Sequence, residues 1–221
     1  MHPAIYYPLQ KIFGKYYRLA IHDDTEIVIE GYPRSGNTFS VVAFEQAQNR
    51  PVKIAHHLHI AAQAIAGTKR GIPVIILLRS PVDAISSLIT REPFITINVA
   101  LEDYIRFYKS VLPIKNKVLI ARFEEVTSDF GGIIDRMNLK FNTGYKSFEH
   151  TKENVARVFS SLDDLETKNV SKLTDESKVA RPSEHRKRDS ERIKKELLLA
   201  DYNHLLAIAV ELYEKLASKK P

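Results

Sequence analysis

Four short apolar stretches, separated by amphipathic ones, mark the first part of the chain. They predict strands over residues 25–31, 51–57, 72–78 and 117–124. The third stretch is a continuous apolar run rich in branched side chains, which is typical of a central parallel strand covered on both faces. The hydrophobic pattern therefore predicts a mainly parallel sheet.

Helical periodicity fills the intervals between these strands. It predicts helices over 38–48, 61–66, 81–91, 100–112, 130–137 and, in two pieces, 189–216. Residues 142–180 are polar and weakly patterned, so we expect only short helices there. Strands that alternate with helices predict an α/β fold with three layers, in which helices cover both faces of the sheet.

Composition and charge narrow the class of protein. The chain has 221 residues, of which 44% are hydrophobic and 27% charged, with a net charge of +6, a pI near 9.3 and no cysteine. This charge favours anionic ligands, but it is too small to predict a nucleic-acid partner. The longest apolar run is too short for a transmembrane segment and no secretory signal is evident, so we expect a cytoplasmic protein.

The aromatic residues of the N-terminal stretch 1–22 leave three interpretations open. Their spacing roughly fits one helical face, which favours a segment packed against the core. An aromatic wall for a second substrate and a contact with a membrane surface are the alternatives.

The first motif follows the first predicted strand. The sequence Gly31-Tyr-Pro-Arg-Ser-Gly-Asn-Thr-Phe39 has the spacing of a phosphate-binding loop, G-x-x-x-x-G-K-[ST], and leads into a predicted helix. Backbone N–H groups at such a turn, together with the positive end of the helix, favour an anion. Asn37 occupies the position of the lysine, however, and Arg34 is the cation of the loop.

A second motif follows the third predicted strand, and a histidine lies between the two motifs. Arg79, Ser80, Pro81 and Asp83 combine a cation with a favourable start for a helix, and Ser87 lies further along that helix. His57 ends the second predicted strand. Since the carboxyl ends of parallel strands meet at one edge, we expect these groups to lie together.

These motifs resemble those of the sulfotransferases that use 3′-phosphoadenosine 5′-phosphosulfate. The resemblance spans roughly residues 25–140 and rests on four segments: 32–39, His57-Leu58, Arg79 to Ser87, and 122–126. It implies a P-loop NTPase-like fold over 1–221, with an N-terminal segment 1–24, a nucleotide-binding core 25–140 and a variable helical part 141–221.

The resemblance also implies a role for each matched residue. His57 would be the general base and Arg34 would stabilise the leaving phosphate, while Arg79 and Ser87 would hold the 3′-phosphate. Phe39 and Phe123 would contact the adenine, and the basic loop 181–188 would close over the 3′-phosphate. The implied donor-binding residues are Arg34, Ser35, Gly36, Asn37, Thr38, Phe39, Arg79, Ser87, Phe123, Arg186 and Lys187.

The implied reaction moves a sulfuryl group to a hydroxyl or amine of a small-molecule, carbohydrate or lipid acceptor, with no metal. The acceptor and the oligomeric state stay open. Two other functions also stay open: a kinase with a degenerate loop and a nucleotide-binding module without catalysis. Glu30 and Glu45 are the carboxylates that could replace His57 as the base, and a metal site of His56, His57 and His59 is disfavoured by the lack of acidic partners.

Overall fold

The computed structural model describes residues 17–169 and 184–218, with the backbone alone for 163–169 and 184–187. Most of the N-terminal stretch and residues 181–183 of the basic loop lie outside the described residues. The strands are β1 (Ile27–Gly31), β2 (Ile54–His56), β3 (Val74–Leu78) and β4 (Leu119–Arg122). The helices are α1 (Asn37–Ala47), α2 (Ala61–Lys69), α3 (Pro81–Arg91), α4 (Ile97–Val111), α5 (Phe123–Ser128), α6 (Phe130–Phe141), α7 (Lys152–Asn169), α8 (Glu184–Leu197) and α9 (Asn203–Ala217).

The four strands form one parallel sheet in the order β2-β1-β3-β4. The register pairs Ile29 with His56, Gly31 with Leu77, and Leu78 with Arg122. The carboxyl ends of all four strands therefore meet at one edge of the sheet. This edge is where the sequence motifs emerge.

Alternate residues of each strand enter separate hydrophobic cores. Val28 and Ile76 pack on the face covered by α2, α3, α4, α8 and α9. Ile29 and Ile75 pack on the opposite face, which α1, α6 and α7 cover. Because neighbouring strand residues point to opposite faces, this division confirms the predicted three-layer α/β fold. None of the described helices is both long and apolar enough to span a bilayer.

One sequence expectation for the region after the core is wrong. Helix α7 has 18 residues, whereas only short helices were expected over 142–180. Its apolar residues Val155, Val158, Phe159 and Leu162 follow the i, i+3, i+4, i+7 spacing, and all of them join the second core. This apolar stripe is narrow, and most of the surrounding residues are polar. The average hydropathy of the segment 142–180 therefore does not reveal it.

Several helix boundaries also differ from expectation: α4 begins at Ile97 instead of residue 100, and α6 ends at Phe141 instead of residue 137. Helix α2 continues past Gly67 to Lys69, because this glycine lies against the sheet: a Cβ there would be 2.8 Å from Val74 Cγ2. Helix α8 begins at Glu184 instead of Asp189, so residues 184–188 of the expected basic loop are helical.

Candidate functional site

The loop after β1 turns sharply to start α1 at the carboxyl edge of the sheet. Arg34 and Gly36 both adopt left-handed backbone conformations, with φ of 66° and 92°. Gly36 caps α1 without any side-chain hydrogen bond. The first N–H groups of α1 therefore have no side-chain cap, which is the arrangement that favours anion binding at a helix start.

Arg34 connects the two arginine-containing motifs. Its Nε donates to Ser87 Oγ at 3.1 Å, and its backbone oxygen accepts from Arg79 Nη1 at 2.8 Å. The structure thus brings together three predicted site residues from two strand ends and one helix. Neither hydrogen bond could be inferred from the sequence, because the partners are 53 and 45 residues apart.

Arg79 also lies against Phe123, at the start of the segment that follows β4. The guanidinium carbon is 4.0 Å from the centre of the Phe123 ring, which is a cation–π contact. Burial lowers the pKa of Arg79, yet an arginine remains charged in proteins. A partly desolvated cation next to an aromatic ring is suited to an anion that carries an attached planar group.

Three tyrosines support this edge: Tyr32 of the first motif, and Tyr104 and Tyr108, which the sequence motifs did not include. Three buried hydroxyls donate to backbone oxygens: Tyr32 to Ala100 at 2.9 Å, Tyr104 to Arg79 at 2.7 Å, and Tyr108 to Leu77 at 2.8 Å. Tyr104 and Tyr108 are one turn apart on α4 and are completely buried. They fix the end of β3, from which Arg79 projects. Their four-residue spacing within an apolar helix face was the available sequence signal.

Asn37, which stands at the lysine position of the loop, points into the protein. Its side chain is 4% exposed, and Nδ2 donates to the Tyr32 backbone oxygen at 3.0 Å. This contact braces the loop from inside. Asn37 Oδ1 and the buried hydroxyl of Ser40 have no hydrogen-bond partner within the described ranges. Ser35 is also buried beneath the loop.

His57 lies beside the loop in a strained turn after β2. His57 and His59 both have left-handed φ values, of 56° and 54°, which are uncommon for residues other than glycine. His57 Nε2 and the Thr38 hydroxyl share a hydrogen bond of 3.1 Å, and His57 Nδ1 contacts Nδ1 of His56. The predicted base therefore touches the phosphate loop directly.

The histidines of this turn are neutral at neutral pH. Burial, followed by the charges of neighbouring histidines, lowers the pKa of His57 to about 3 and that of His56 to about 4. Burial also lowers the pKa of His59, whose Nδ1 contacts the Gly31 backbone oxygen at 2.9 Å. A neutral imidazole keeps one nitrogen that can accept a proton. No group of metal-ligating side chains is found among the described residues.

The two carboxylates considered as bases occupy unsuitable positions. Glu30 is completely buried, and four N–H groups point at its carboxylate. Glu45 is exposed in the third turn of α1, roughly 12 Å along the helix from Asn37 at 1.5 Å per residue. Of the three residues, His57 is the one that contacts the exposed Thr38 hydroxyl of the loop.

Phe39 packs within an aromatic cluster at the start of α1. Its ring centre lies within 6.3 Å of four other rings: Phe130, Phe148, His150 and Phe159. Phe39 remains half-buried. These contacts fix the ring beside the loop, and its stacking on adenine stays a prediction.

The basic residues Arg186 and Lys187 lie in the first turn of α8, and their side chains are outside the described part of the structure. Two contacts hold this helix against α3: the Ser190 hydroxyl donates to Ser86 at 3.1 Å, and Lys194 pairs with Asp83 at 2.9 Å. Ser190 is about one turn beyond Arg186 and Lys187, and Ser86 is next to Ser87. These contacts pair residue 194 with 83 and residue 190 with 86, so α8 runs antiparallel to α3 and its first turn lies beyond Ser87, toward the carboxyl end of α3.

Comparison with known proteins finds a structural likeness but no match in sequence. No protein-family model and no curated protein matches the sequence. Among solved structures, the mouse sulfotransferase SULT7A1 complexed with PAP matches over 87% of this chain and 90% of its own, with 15% sequence identity and a TM-score of 0.45. At this TM-score and identity, the likeness supports no statement about activity, ligand or site residues.

Proposed function

We propose that the chain transfers a sulfuryl group from 3′-phosphoadenosine 5′-phosphosulfate to a hydroxyl or amine acceptor. The observation that carries this proposal is the contact of Arg34 Nε with Ser87 Oγ at 3.1 Å, together with the bond from Arg79 to the Arg34 backbone. It joins the cation of the phosphate loop to the second motif. A donor with phosphate groups at both ends of a nucleoside needs cations at two such positions.

The residues around the loop fit the phosphosulfate end of the donor. The start of α1 has no side-chain cap, and the Thr38 hydroxyl is exposed. Arg34 supplies a permanently charged, forked donor, which suits an oxyanion better than a single ammonium group. These features support binding of an anion without a metal.

The residues around Arg79 fit the nucleoside end. Its guanidinium lies over the Phe123 ring at 4.0 Å, and Ser87 adds a hydroxyl. Phe39 presents a second ring next to the same loop. In the proposed complex, Arg79 and Ser87 hold the 3′-phosphate while the phenylalanines contact the base. A contact of Arg186 and Lys187 with this phosphate stays a prediction from the resemblance.

In the proposed reaction, His57 Nε2 accepts the proton of the acceptor group. The acceptor oxygen or nitrogen forms a bond to sulfur while the bond from sulfur to the bridging oxygen breaks. The electron pair of that bond stays on the 5′-phosphate of the product, and Arg34 stabilises the charge. Such transfers resemble phosphoryl transfer, in which positioning and electrostatics supply most of the catalysis.

The low pKa of His57 is consistent with this role in a loaded site. Burial and neighbouring histidines hold the pKa at about 3, which makes the free imidazole a weak base. A bound donor brings negative charge beside Thr38, to which His57 is bonded. A nearby negative charge raises the pKa of an imidazole. The donor therefore activates the base that it needs.

The kinase alternative gains no support from this geometry. A nucleoside-triphosphate loop uses its lysine to reach the terminal phosphates, but Asn37 stands there and donates to the Tyr32 backbone instead. A nucleotide-binding module without catalysis would share the donor site and is distinguished by turnover alone.

Calorimetry with adenosine 3′,5′-bisphosphate in the absence of magnesium tests the proposed donor site. We expect saturable binding to the wild-type chain and a loss of affinity on the order of 10-fold or more in Arg79→Ala, since a charge-assisted contact contributes roughly 1.5–3 kcal/mol. Arg106→Ala is the control, because Arg106 is exposed on α4 and pairs with Asp103. An absence of binding to the wild-type protein would rule the proposal out.

A further inference from the structure

Glu30 is a buried carboxyl group at the end of β1, immediately before the phosphate loop. It is completely buried. Four N–H groups donate to its two oxygens: Leu58 N at 2.8 Å, Gln63 Nε2 at 2.9 Å, His59 N at 3.1 Å and Gly31 N at 3.3 Å. These donors come from the phosphate loop, from the histidine turn and from α2. One side chain thus joins three parts of the site.

A carboxyl group in such a place is costly for the fold. Burial disfavours its charged form and raises the pKa of Glu30 to about 8, while the four hydrogen bonds oppose that rise. Buried polar groups are tolerated when their hydrogen bonds are complete. Four donors face the two oxygens of Glu30, and two of them are backbone groups of the turn that follows His57.

That turn needs an external constraint. His57 and His59 are both left-handed, and such strained conformations persist only where the surroundings fix them. Leu58 lies between the two strained residues, and His59 is one of them. The N–H groups of both Leu58 and His59 donate to Glu30. The same carboxyl group also accepts a hydrogen bond from the N–H group of Gly31, the first residue of the phosphate loop that contains Thr38.

We infer that Glu30 is the positioning residue that holds His57 against the phosphate loop. Glu30 sets the distance between the turn of residues 57–59 and the loop, and this distance places His57 Nε2 at 3.1 Å from the Thr38 hydroxyl. It touches neither substrate in the proposed complex, since its side chain is fully buried. The inference rests on the proposed function only for the catalytic consequence, because the placement of the His57 ring can be measured without turnover.

The direct test is Glu30→Gln, which preserves the shape of the side chain but replaces one acceptor oxygen with an NH₂ group. An NH₂ group cannot accept the N–H groups that face it. In protein labelled with ¹⁵N at histidine, we expect the ring signals of His57 to shift and its pKa to move toward the ordinary range for histidine. The ring signals of His204, which is exposed on α9, should not move. Glu102→Gln makes the same chemical change at an exposed position of α4 and should leave all ring signals unchanged.

The catalytic consequence is measured on the same variants. Glu30→Gln should lower kcat about 10- to 100-fold, by analogy with the loss of a partner that orients a metal-bound histidine, and change the affinity for adenosine 3′,5′-bisphosphate less than about threefold. His57 ring signals identical to those of the wild type would overturn the inference, whether or not the wild type transfers sulfate. Equal losses of kcat and nucleotide affinity with unchanged His57 signals would show that Glu30 stabilises the fold and does not position His57.

A second variant covers the case in which Glu30→Gln does not fold. Glu30→Asp keeps the carboxyl group and withdraws it by one methylene. It should displace the His57 signals in the same direction by a smaller amount. Absence of that displacement in folded Glu30→Asp contradicts the inference. A wild type that binds the nucleotide but transfers no sulfate would contradict the proposed function instead, and the His57 signals would still decide the role of Glu30.

Discussion

Arg34 donates through Nε to the hydroxyl of Ser87 at 3.1 Å, although the two residues are 53 positions apart in the chain. Arg34 belongs to the loop after β1, and Ser87 to the second turn of α3. The contact exists because β1 and β3 are adjacent in the sheet, which brings the loop and the helix start together. It couples the two ends of the proposed donor site.

Replacing Ser87 with alanine should weaken nucleotide binding moderately. The change removes a hydroxyl that bonds to Arg34 and, in the proposed complex, to the 3′-phosphate. A single hydrogen bond of this kind contributes about 0.5–1.5 kcal/mol, so we expect an affinity for adenosine 3′,5′-bisphosphate that is roughly 2- to 13-fold lower by calorimetry.

Ser86→Ala is the matched control for Ser87→Ala. Ser86 is completely buried on the same helix and contacts Ser190 of α8. Its loss should lower the free energy of unfolding and leave nucleotide affinity within a factor of about two. Equal affinities of Ser87→Ala and the wild type would contradict the position assigned to the 3′-phosphate.

The histidine turn should make the fold sensitive to acid. Burial depresses the folded-state pKa of His56 to about 4 and of His57 to about 3, below the ordinary value of 6.5. Between pH 6.5 and these folded-state pKa values, the unfolded chain binds more protons than the folded chain. The stability that the neutral histidines contribute is therefore fully present above pH 6.5 and is lost as the pH falls. For each histidine, the free energy of unfolding changes by at most about 1.4 kcal/mol per pH unit.

Urea unfolding of the wild type and His56→Gln from pH 7 to pH 4 measures this slope. The variant should lose less stability on acidification than the wild type. Glu30 acts in the opposite direction, because its raised pKa favours the folded state as pH falls through about 8. Glu30 is present in both proteins, so its contribution largely cancels when their stabilities are compared. His204→Gln removes an exposed histidine and should keep the wild-type slope. Parallel curves for the wild type and His56→Gln would refute the assigned cause.

The contact of α2 with the sheet predicts a specific effect on stability. In Gly67→Ala the new Cβ would lie 2.8 Å from Val74 Cγ2 and 3.0 Å from Val28 Cγ2. Overpacking of this kind costs typically about 1–3 kcal/mol. In Gly144→Ala the added methyl group meets nothing within 4 Å, and we expect a change within about 0.5 kcal/mol. Thermal or urea unfolding compares the two, and equal stabilities would show that α2 can move away from the sheet.

The sequence predicted those features that depend on local patterns. The apolar run 72–78 predicted the central strand, and the Ser80-Pro81 start predicted α3, whose N-cap Ser80 accepts from Asp83 N at 3.5 Å. The predicted residues Arg34, Arg79 and Ser87 lie together because the motifs follow neighbouring strands. Such clustering is a direct consequence of a parallel sheet.

Other features depend on contacts between distant residues and were not predictable. The positions of Tyr104 and Tyr108 under β3 follow from how α4 packs on the sheet. Glu30 was considered as a base, but its four N–H partners place it inside the fold. The length of helix α7 was underestimated because its apolar stripe is narrow. In each case the deciding interaction joins segments that the local pattern treats separately.

The proposed activity is tested most directly by transfer of labelled sulfate from 3′-phosphoadenosine 5′-phosphosulfate, without magnesium, to a panel of sugars, lipids and phenols. The wild type should transfer label to at least one acceptor. His57→Ala should reduce the rate about 10²- to 10⁴-fold, the usual contribution of a general base, with adenosine 3′,5′-bisphosphate still bound. His204→Ala should retain the wild-type rate. Transfer that persists undiminished in His57→Ala, or nucleotide binding by the wild type without transfer to any acceptor, would contradict the proposed mechanism.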